Sequence, residues 1–442
     1  MDIEGFVRRA FAAGRGEDEI VSALTHEITT IKTRVSDEYA QEFARAVVQE
    51  VKNTSGLEGD LFAYEHAGVT MGEFGVGSRG KGDFFAHRQF PRIIGTAAVA
   101  VGVDEMDDAG AVQAGGQYII TTVDGMHSRL SDFPFLAGFH VTRATLRDVY
   151  VMGAAPVALL SDIHVADDGD VAKIFDYTAG IAVVAEAMGV PLVTGSTLRI
   201  GGDMVLGDRM TGCVGAVGVA DYLTARKETR PGDVILMTAG AGGGTIATTA
   251  LYFGYPEVVE ETINLHFLRA AEALLKSPVL RHIHTMTDVT NGGLRGDVYE
   301  MAETADCRIV IDEANLRSLV EPRVLAMLDA LEIDYLGVSL DALLIVVPPE
   351  YVDEVMAVIR GAGVPIERIG YVEEGPAASV LLSGGKECDF QPRFRESAYT
   401  PVKKVVDTEP RDFDEMKKRV EQAADAAVAK KKRILERLRT PE

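Results

Sequence analysis

Cysteine, long apolar runs and positive charge are all scarce in this chain. Its three cysteines, Cys213, Cys307 and Cys388, are odd in number and far apart. That excludes a disulfide framework and a close-spaced metal knot, and points to a reducing cytoplasm. No uncharged apolar run approaches the roughly 20 residues that span a bilayer. The start, Met1-Asp-Ile-Glu-Gly-Phe-Val-Arg-Arg9, has no apolar signal core, so no membrane partner is expected. Forty-four Lys and Arg face 67 Asp and Glu, a formal net charge of -23. Such a field repels a nucleic-acid backbone, but it does not exclude one nucleotide held through magnesium and a few local cations. What remains, 47% apolar and 25% charged over 442 residues, describes an ordinary globular protein of two or three domains.

Acidic residues supply the first chemical signal. Asp107 and Asp108 precede a short apolar run, Ala109 to Val112, and a glycine turn at Gly115-Gly116. The β-branched and aromatic stretch Tyr118 to Val123 predicts a strand that delivers Asp124 at its end, and a helix over about 135–152 carries Asp148. Hard oxygen donors on several rigid elements suit magnesium holding phosphates. The plain alternative is an acidic turn and a hairpin with solvated carboxylates.

Upstream, Gly75, Gly77, Gly80 and Gly82 alternate with Arg79 and Lys81. Such spacing lets backbone amides approach an anion, or else makes a flexible linker. No Ser or Thr follows Lys81 and no clear helix is expected there, so this is not the phosphate loop of nucleotide triphosphatases.

Residues 1–55 read as amphipathic helices forming an extension. Strands and helices alternate over 70–225, with Pro191 to Thr194 read as a buried strand, and again over 230–385. A second glycine loop, Ala239 to Thr245, joins a strand to a helix, either as an anion seat or as a tight turn. A terminal helix occupies about 405–440, and its basic run Lys430 to Arg433 is taken as a solvated face. Arg79, Lys81, Arg129, Arg147 and Arg199 are candidate cations, and His127 and His140 candidate acid-base groups near working pH.

Six motifs in order, DDAGAV, TTVDG, LRDVYVMGAAP, TGST, RPGDVI and MTDVTNGGL, resemble the aminoimidazole ribonucleotide (AIR) synthase, or PurM-like, superfamily over about 70–385. That superfamily includes selenophosphate synthetase, thiamine-monophosphate kinase and a hydrogenase-maturation enzyme. The resemblance implies an α+β, two-domain fold whose N-terminal domain pairs with a second copy into a dimeric β-barrel, beside a C-terminal α/β sandwich. It implies ATP with Mg2+, with Asp107, Asp108 and Asp124 as metal ligands and Asp148 beside them. Gly75, Gly77, Gly80 and Gly82 become a mobile loop over the phosphates, with Arg79, Lys81 and His127 as catalytic groups. Gly195, Ser196, Thr197, Asp288, Gly292 and Gly293 complete the nucleotide side.

Departures bound the substrate. No Cys or Lys stands in the segment Gly75 to Arg79, so selenide chemistry is not expected. The ending Leu-Arg-Thr-Pro-Glu442 carries no cysteine on which a substrate could ride. Ser196 replaces an acid, Arg147 stands where an Asn is common, and Arg129 replaces a Lys-bearing loop. The reading that follows is a homodimeric enzyme using ATP to phosphorylate an amide, carbonyl or phosphate oxygen of a small molecule. Its rival is a non-catalytic nucleotide sensor or assembly factor on the same fold.

Overall fold

The element order follows from where apolar residues recur. A computed structural model describes residues 1–78, 80–95, 98–290, 292–396, 399–406 and 412–439. Helices α1 (Ile3–Ala12), α2 (Glu17–Ile31) and α3 (Asp37–Thr54) bury a common stripe that includes Ile3, Val7, Ile20, Leu24, Ile28, Val47 and Val51. Three short helices follow, α4 (Met71–Phe74), α5 (Lys81–His87) and α6 (Phe90–Ile94). A helix therefore does open at Lys81, contrary to the expectation of none there. Glycine makes it possible: a Cβ at Gly80 would collide with the Phe394 carbonyl, and one at Gly82 with that of Phe74.

The first sheet joins β1 (Gly110–Ala114), β2 (Gln117–Gly125), β3 (Ala155–Val165), β4 (Leu192–Arg199) and β5 (Met210–Ala220) in the order β1-β2-β5-β3-β4. Helices α7 (Pro134–Val151) and α8 (Ala172–Met188) cover one face. They meet backbone to backbone, because a Cβ at Gly138 would strike the Tyr177 carbonyl and one at Gly180 that of Phe135. The other face is open, exposing Val112, Val123 and Leu198. The strand read as buried near Pro191 is β4, exposed along its whole length as an edge strand beyond which no further strand pairs among the described residues. The strands of Tyr118 and Thr211 to Val219 lie inside the sheet, and β1 and β4 are its edges.

The second sheet contains β6 (Val234–Thr238), β7 (Thr285–Val289), β8 (Arg308–Asp312), β9 (Ala342–Val347), β10 (Ile366–Glu373), β11 (Ala378–Ser383) and β12 (Lys386–Asp389), ordered β12-β11-β8-β10-β6-β9-β7. Helices α9 (Gly244–Phe253), α10 (His266–Leu275), α11 (Gly293–Ala305), α12 (Pro322–Ala330) and α13 (Val352–Gly361) belong to it. Every residue of β6, β7 and β9 is buried; β6 and β9 accordingly read as apolar runs, whereas β7 carries Thr285, Thr287 and Asp288 among its apolar residues. The edge strand β7 contacts α7, which is thereby enclosed between the sheets. This explains why α7 buries residues all round, polar ones among them.

The extensions dock at defined places. The N-terminal helices pair with the β4–β5 connection through Ile3 N–H to the Met204 carbonyl at 3.0 Å and Leu206 N–H to that of Met1 at 2.9 Å. Two more helices follow the second sheet, α14 (Pro401–Val406) and α15 (Phe413–Arg439). The basic run of α15 is largely exposed, as expected of a solvated face, and it also makes specific contacts. Lys430 donates to the Ala63 carbonyl at 2.8 Å, Lys431 to those of Ile93 and Ile94 at 2.8 and 2.5 Å, and Arg433 pairs with Asp60 at 2.6 Å. The physical reason lies in α6, whose last carbonyls have no helical partner and are capped by the Lys431 ammonium. No helix among the described residues is long and apolar enough to cross a membrane.

Candidate functional site

A cleft of about 470 Å³ opens between the two sheets, against α7. Six carboxylates line it, Asp107, Asp108, Asp124, Asp148, Asp288 and Glu300, against the two guanidinium groups of Arg147 and Arg226. Several local devices supply them. The turn before β1 presents Asp107 and Asp108, the C-terminal end of β2 presents Asp124, and α7 presents Arg147 and Asp148 on adjacent positions. Edge strand β7 brings Asp288 and α11 brings Glu300.

Hydrogen bonds fix this arrangement. The Thr122 hydroxyl donates to Asp148 at 2.8 Å, and the Thr287 hydroxyl donates to Asp108 at 2.7 Å. Arg226, only 2% exposed, reaches Asp108 at 2.6 Å, Glu300 at 2.8 Å and the Met106 carbonyl at 2.9 Å. Its backbone N–H donates to Asp107 at 2.8 Å. Arg147 Nε lies 2.9 Å from Asp288 as an ion pair, without the alignment of a hydrogen bond, and its terminal nitrogen meets Asp341. Arg143, one turn earlier, donates to the carbonyls of Gly242 at 2.9 Å, Thr262 at 2.8 Å and Asn264 at 2.7 Å, and so ties α7 to the second glycine loop.

The electrostatics show which charges lack compensation. Burial pushes Asp288 up to about 7 although Arg147 pulls the other way, and Asp108 adds repulsion. Asp107 is likewise pushed up to about 7 by burial, Arg226 opposing and Asp108 adding to it. Asp148 stands well above the carboxylate range through burial and the repulsion of Asp288, Asp124 and Asp108. Burial works against the Arg226 charge, yet Asp108, Glu300, Asp107 and Asp297 together raise it well above its ordinary value. Crowded carboxylates that two guanidinium groups cannot neutralise are a donor set suited to a hard cation. Among the described residues no three acidic, His or Cys side chains converge into a preformed cage. Magnesium needs none, because it keeps several waters and completes its shell with phosphate oxygens.

Not all of the cleft's lining is charged. His127 and His140 line it with Gly244 and Thr245 at the start of α9. His127 Nε2 meets the Thr245 hydroxyl at 3.1 Å, and His140 Nε2 that of Thr262 at 3.3 Å. Neither ring titrates near neutrality, which corrects the acid-base expectation. Burial, then the Lys403 charge, push His127 down to about 4, and burial with Arg143 holds His140 well below its ordinary value. Both are neutral rings that offer hydrogen bonds.

Other expected site residues lie elsewhere. Gly75, Gly80 and Gly82 pack near residues 393–395 rather than along the cleft, the Gly77 N–H donates to Asp83 at 2.9 Å, and the Lys81 backbone N–H donates to the Arg393 carbonyl at 2.9 Å. Lys81 itself is exposed, and Arg79 falls outside the described residues. Arg129 stacks 4.1 Å from the Tyr252 ring centroid, and Arg199 pairs with Asp167 and Asp203. Gly195, Ser196 and Thr197 line a separate depression beside Ser161 and Thr178. Gly292 and Gly293, with φ of +105° and +64°, form the turn into α11 beyond the cleft wall. Arg226 and Glu300 escaped the sequence reading. Arg226 sat in what read as a domain boundary, and the only trace of Glu300 was its i,i+3 spacing from Asp297 on one face of a helix.

Two family models match the chain, the AIR synthase related protein N-terminal domain over residues 106–220 and the corresponding C-terminal domain over 230–383. An uncharacterized protein of Methanocaldococcus jannaschii is 52% identical over 99% of this chain and 98% of its own. A selenide, water dikinase of Nitratidesulfovibrio vulgaris is 28% identical over 64% of this chain and 88% of its own. The solved structure of hydrogenase maturation protein HypE in complex with ATP shares the fold, with a TM-score of 0.53 and 21% identity over 72% of this chain and 97% of that one. With both domains matched in order and the expected motifs inside them, this chain belongs to the AIR synthase related family.

Proposed function

We propose that this protein is an ATP- and magnesium-dependent enzyme that phosphorylates an amide, carbonyl or phosphate oxygen of a small molecule. The observation that carries the reading is the set of buried carboxylates at the cleft, Asp148 and Asp288 above all, held against their own ionisation. Such groups are kept at the expense of stability, and a bound cation is what relieves them. Relatives support the class of reaction, since one is a selenide, water dikinase and a structural neighbour was solved with ATP.

In this reading Asp107, Asp108, Asp124, Asp148 and Asp288 hold the metal directly or through water. Bound magnesium would neutralise phosphate charge and ATP would supply the phosphoryl group, in a transfer that is mostly positioning. Arg147, fixed between Asp288 and Asp341, holds positive charge beside those acids. Neutral His127 and His140, with the amides that open α9, orient the acceptor and keep water out. Arg79, Lys81 and the glycines 75, 77, 80 and 82 would serve by swinging over the phosphates. Gly195, Ser196 and Thr197 would serve from the open sheet face, closed by a second copy into a barrel.

The test is formation of ADP by the purified protein with magnesium and ATP, alone and with a panel of amides, carbonyl compounds and phosphate esters. Turnover by native protein that is lost on Asp148→Asn is expected. Tight ATP binding with no turnover under any acceptor would favour the sensor reading.

A further inference from the structure

One lip of the cleft differs chemically from its acidic floor. Phe90, on α6, lines the cleft yet is 50% exposed, and the His87 ring lies beside it at 5.5 Å between centroids. Val103, also 50% exposed, continues this lip. An exposed phenyl ring lining the cleft, with a half-buried imidazole beside it and buried carboxylates in the same cleft, fits a ligand with a flat apolar part and a metal-bound polyanionic part.

The lip is held, not loose. The Gln89 side chain is buried and donates to the Phe85 carbonyl at 3.0 Å. Lys431 of α15 caps the Ile93 and Ile94 carbonyls, and Arg92 pairs with Glu421 and Asp425 of the same helix. Neither α6 nor α15 falls within the segments that the family models match. Two segments outside those matches thus meet to place one aromatic ring at the site.

We infer that Phe90, flanked by His87, is the platform on which the base of the bound nucleotide stacks. This rests on the nucleotide reading above and adds the residue that recognises the base. A purine offers a π-face to the phenyl ring, and removing such a platform weakens binding about tenfold, ~1.4 kcal/mol.

The experiment compares magnesium ATP with magnesium tripolyphosphate, which lacks a base, by calorimetry on the full chain. Phe90→Ala is expected to weaken ATP binding about tenfold and leave tripolyphosphate binding unchanged. Phe90→Trp is expected to keep native ATP affinity. The chain contains no tryptophan, so this variant carries a single indole, whose fluorescence ATP should quench and tripolyphosphate should not. If native protein binds both ligands and Phe90→Ala loses nothing toward ATP, the inference is overturned while the nucleotide reading stands. If native protein binds neither ligand, the nucleotide reading falls and takes the platform with it.

Discussion

Asp288→Asn separates a carboxylate kept for a ligand from one kept for the fold. Asp288 stands at about 7 against an ordinary value of 3.8. A folded-state value above the unfolded one means that ionisation opposes folding. Stability is therefore highest below about pH 4 and is lost as pH rises toward 7. Three units at ~1.4 kcal/mol each set a ceiling of about 4 kcal/mol. Asp148 and Asp107 share the same crowding, and the amide gives up the Arg147 ion pair, so the net gain for the isosteric variant is about 1–2 kcal/mol at pH 8. At pH 5, above the ordinary value of 3.8 but below 7, the gain should fall to less than half of this. Urea denaturation of both proteins at the two pH values, without magnesium, measures this. Calorimetry should show that the same variant binds magnesium ATP more weakly. A variant less stable than native at pH 8, by an amount that ignores pH, would refute the reasoning and make Asp288 a structural partner of Arg147.

Four further outcomes are expected. Asp124→Asn should weaken magnesium ATP binding by tenfold or more while leaving the unliganded melting temperature nearly unchanged, as differential scanning fluorimetry and calorimetry would show. Arg143→Met leaves Asp341 and three loop carbonyls short of a partner, so denaturant unfolding should record a loss of about 3–5 kcal/mol. If a second copy closes the open sheet face, Val123→Glu with Leu198→Glu should turn a dimer into a monomer by light scattering without unfolding it, since both side chains are exposed in the single chain. Lys81→Ala with Arg79→Ala should lower turnover far more than stability, and trypsin cleavage near Arg79 that ATP leaves untouched would return this segment to a structural turn.

Residues whose neighbours are local were the ones legible from sequence. Strand β2 with Asp124 at its end, helix α7 carrying Asp148, and the three amphipathic N-terminal helices follow from periods of 2 and 3.6, which short-range geometry imposes. The acidic character of the site was legible too, because Asp107, Asp108, Asp124 and Asp148 fall within one stretch of chain. What only the tertiary structure decided is who stands opposite whom. Arg226 looked like a linker residue until packing placed it among Asp108, Glu300 and Asp107. His127 and His140 looked titratable until burial removed their water and with it their charge. Only packing shows that the glycines at 80 and 82 each also avoid a collision with a carbonyl from another segment. The basic run of α15 is exposed as its sequence suggested, but only the closed chain shows that Lys431 also caps a helix more than 330 residues away. Sequence fixes each residue's intrinsic chemistry and its nearest contacts; desolvation and long-range pairing exist only once the chain has closed on itself.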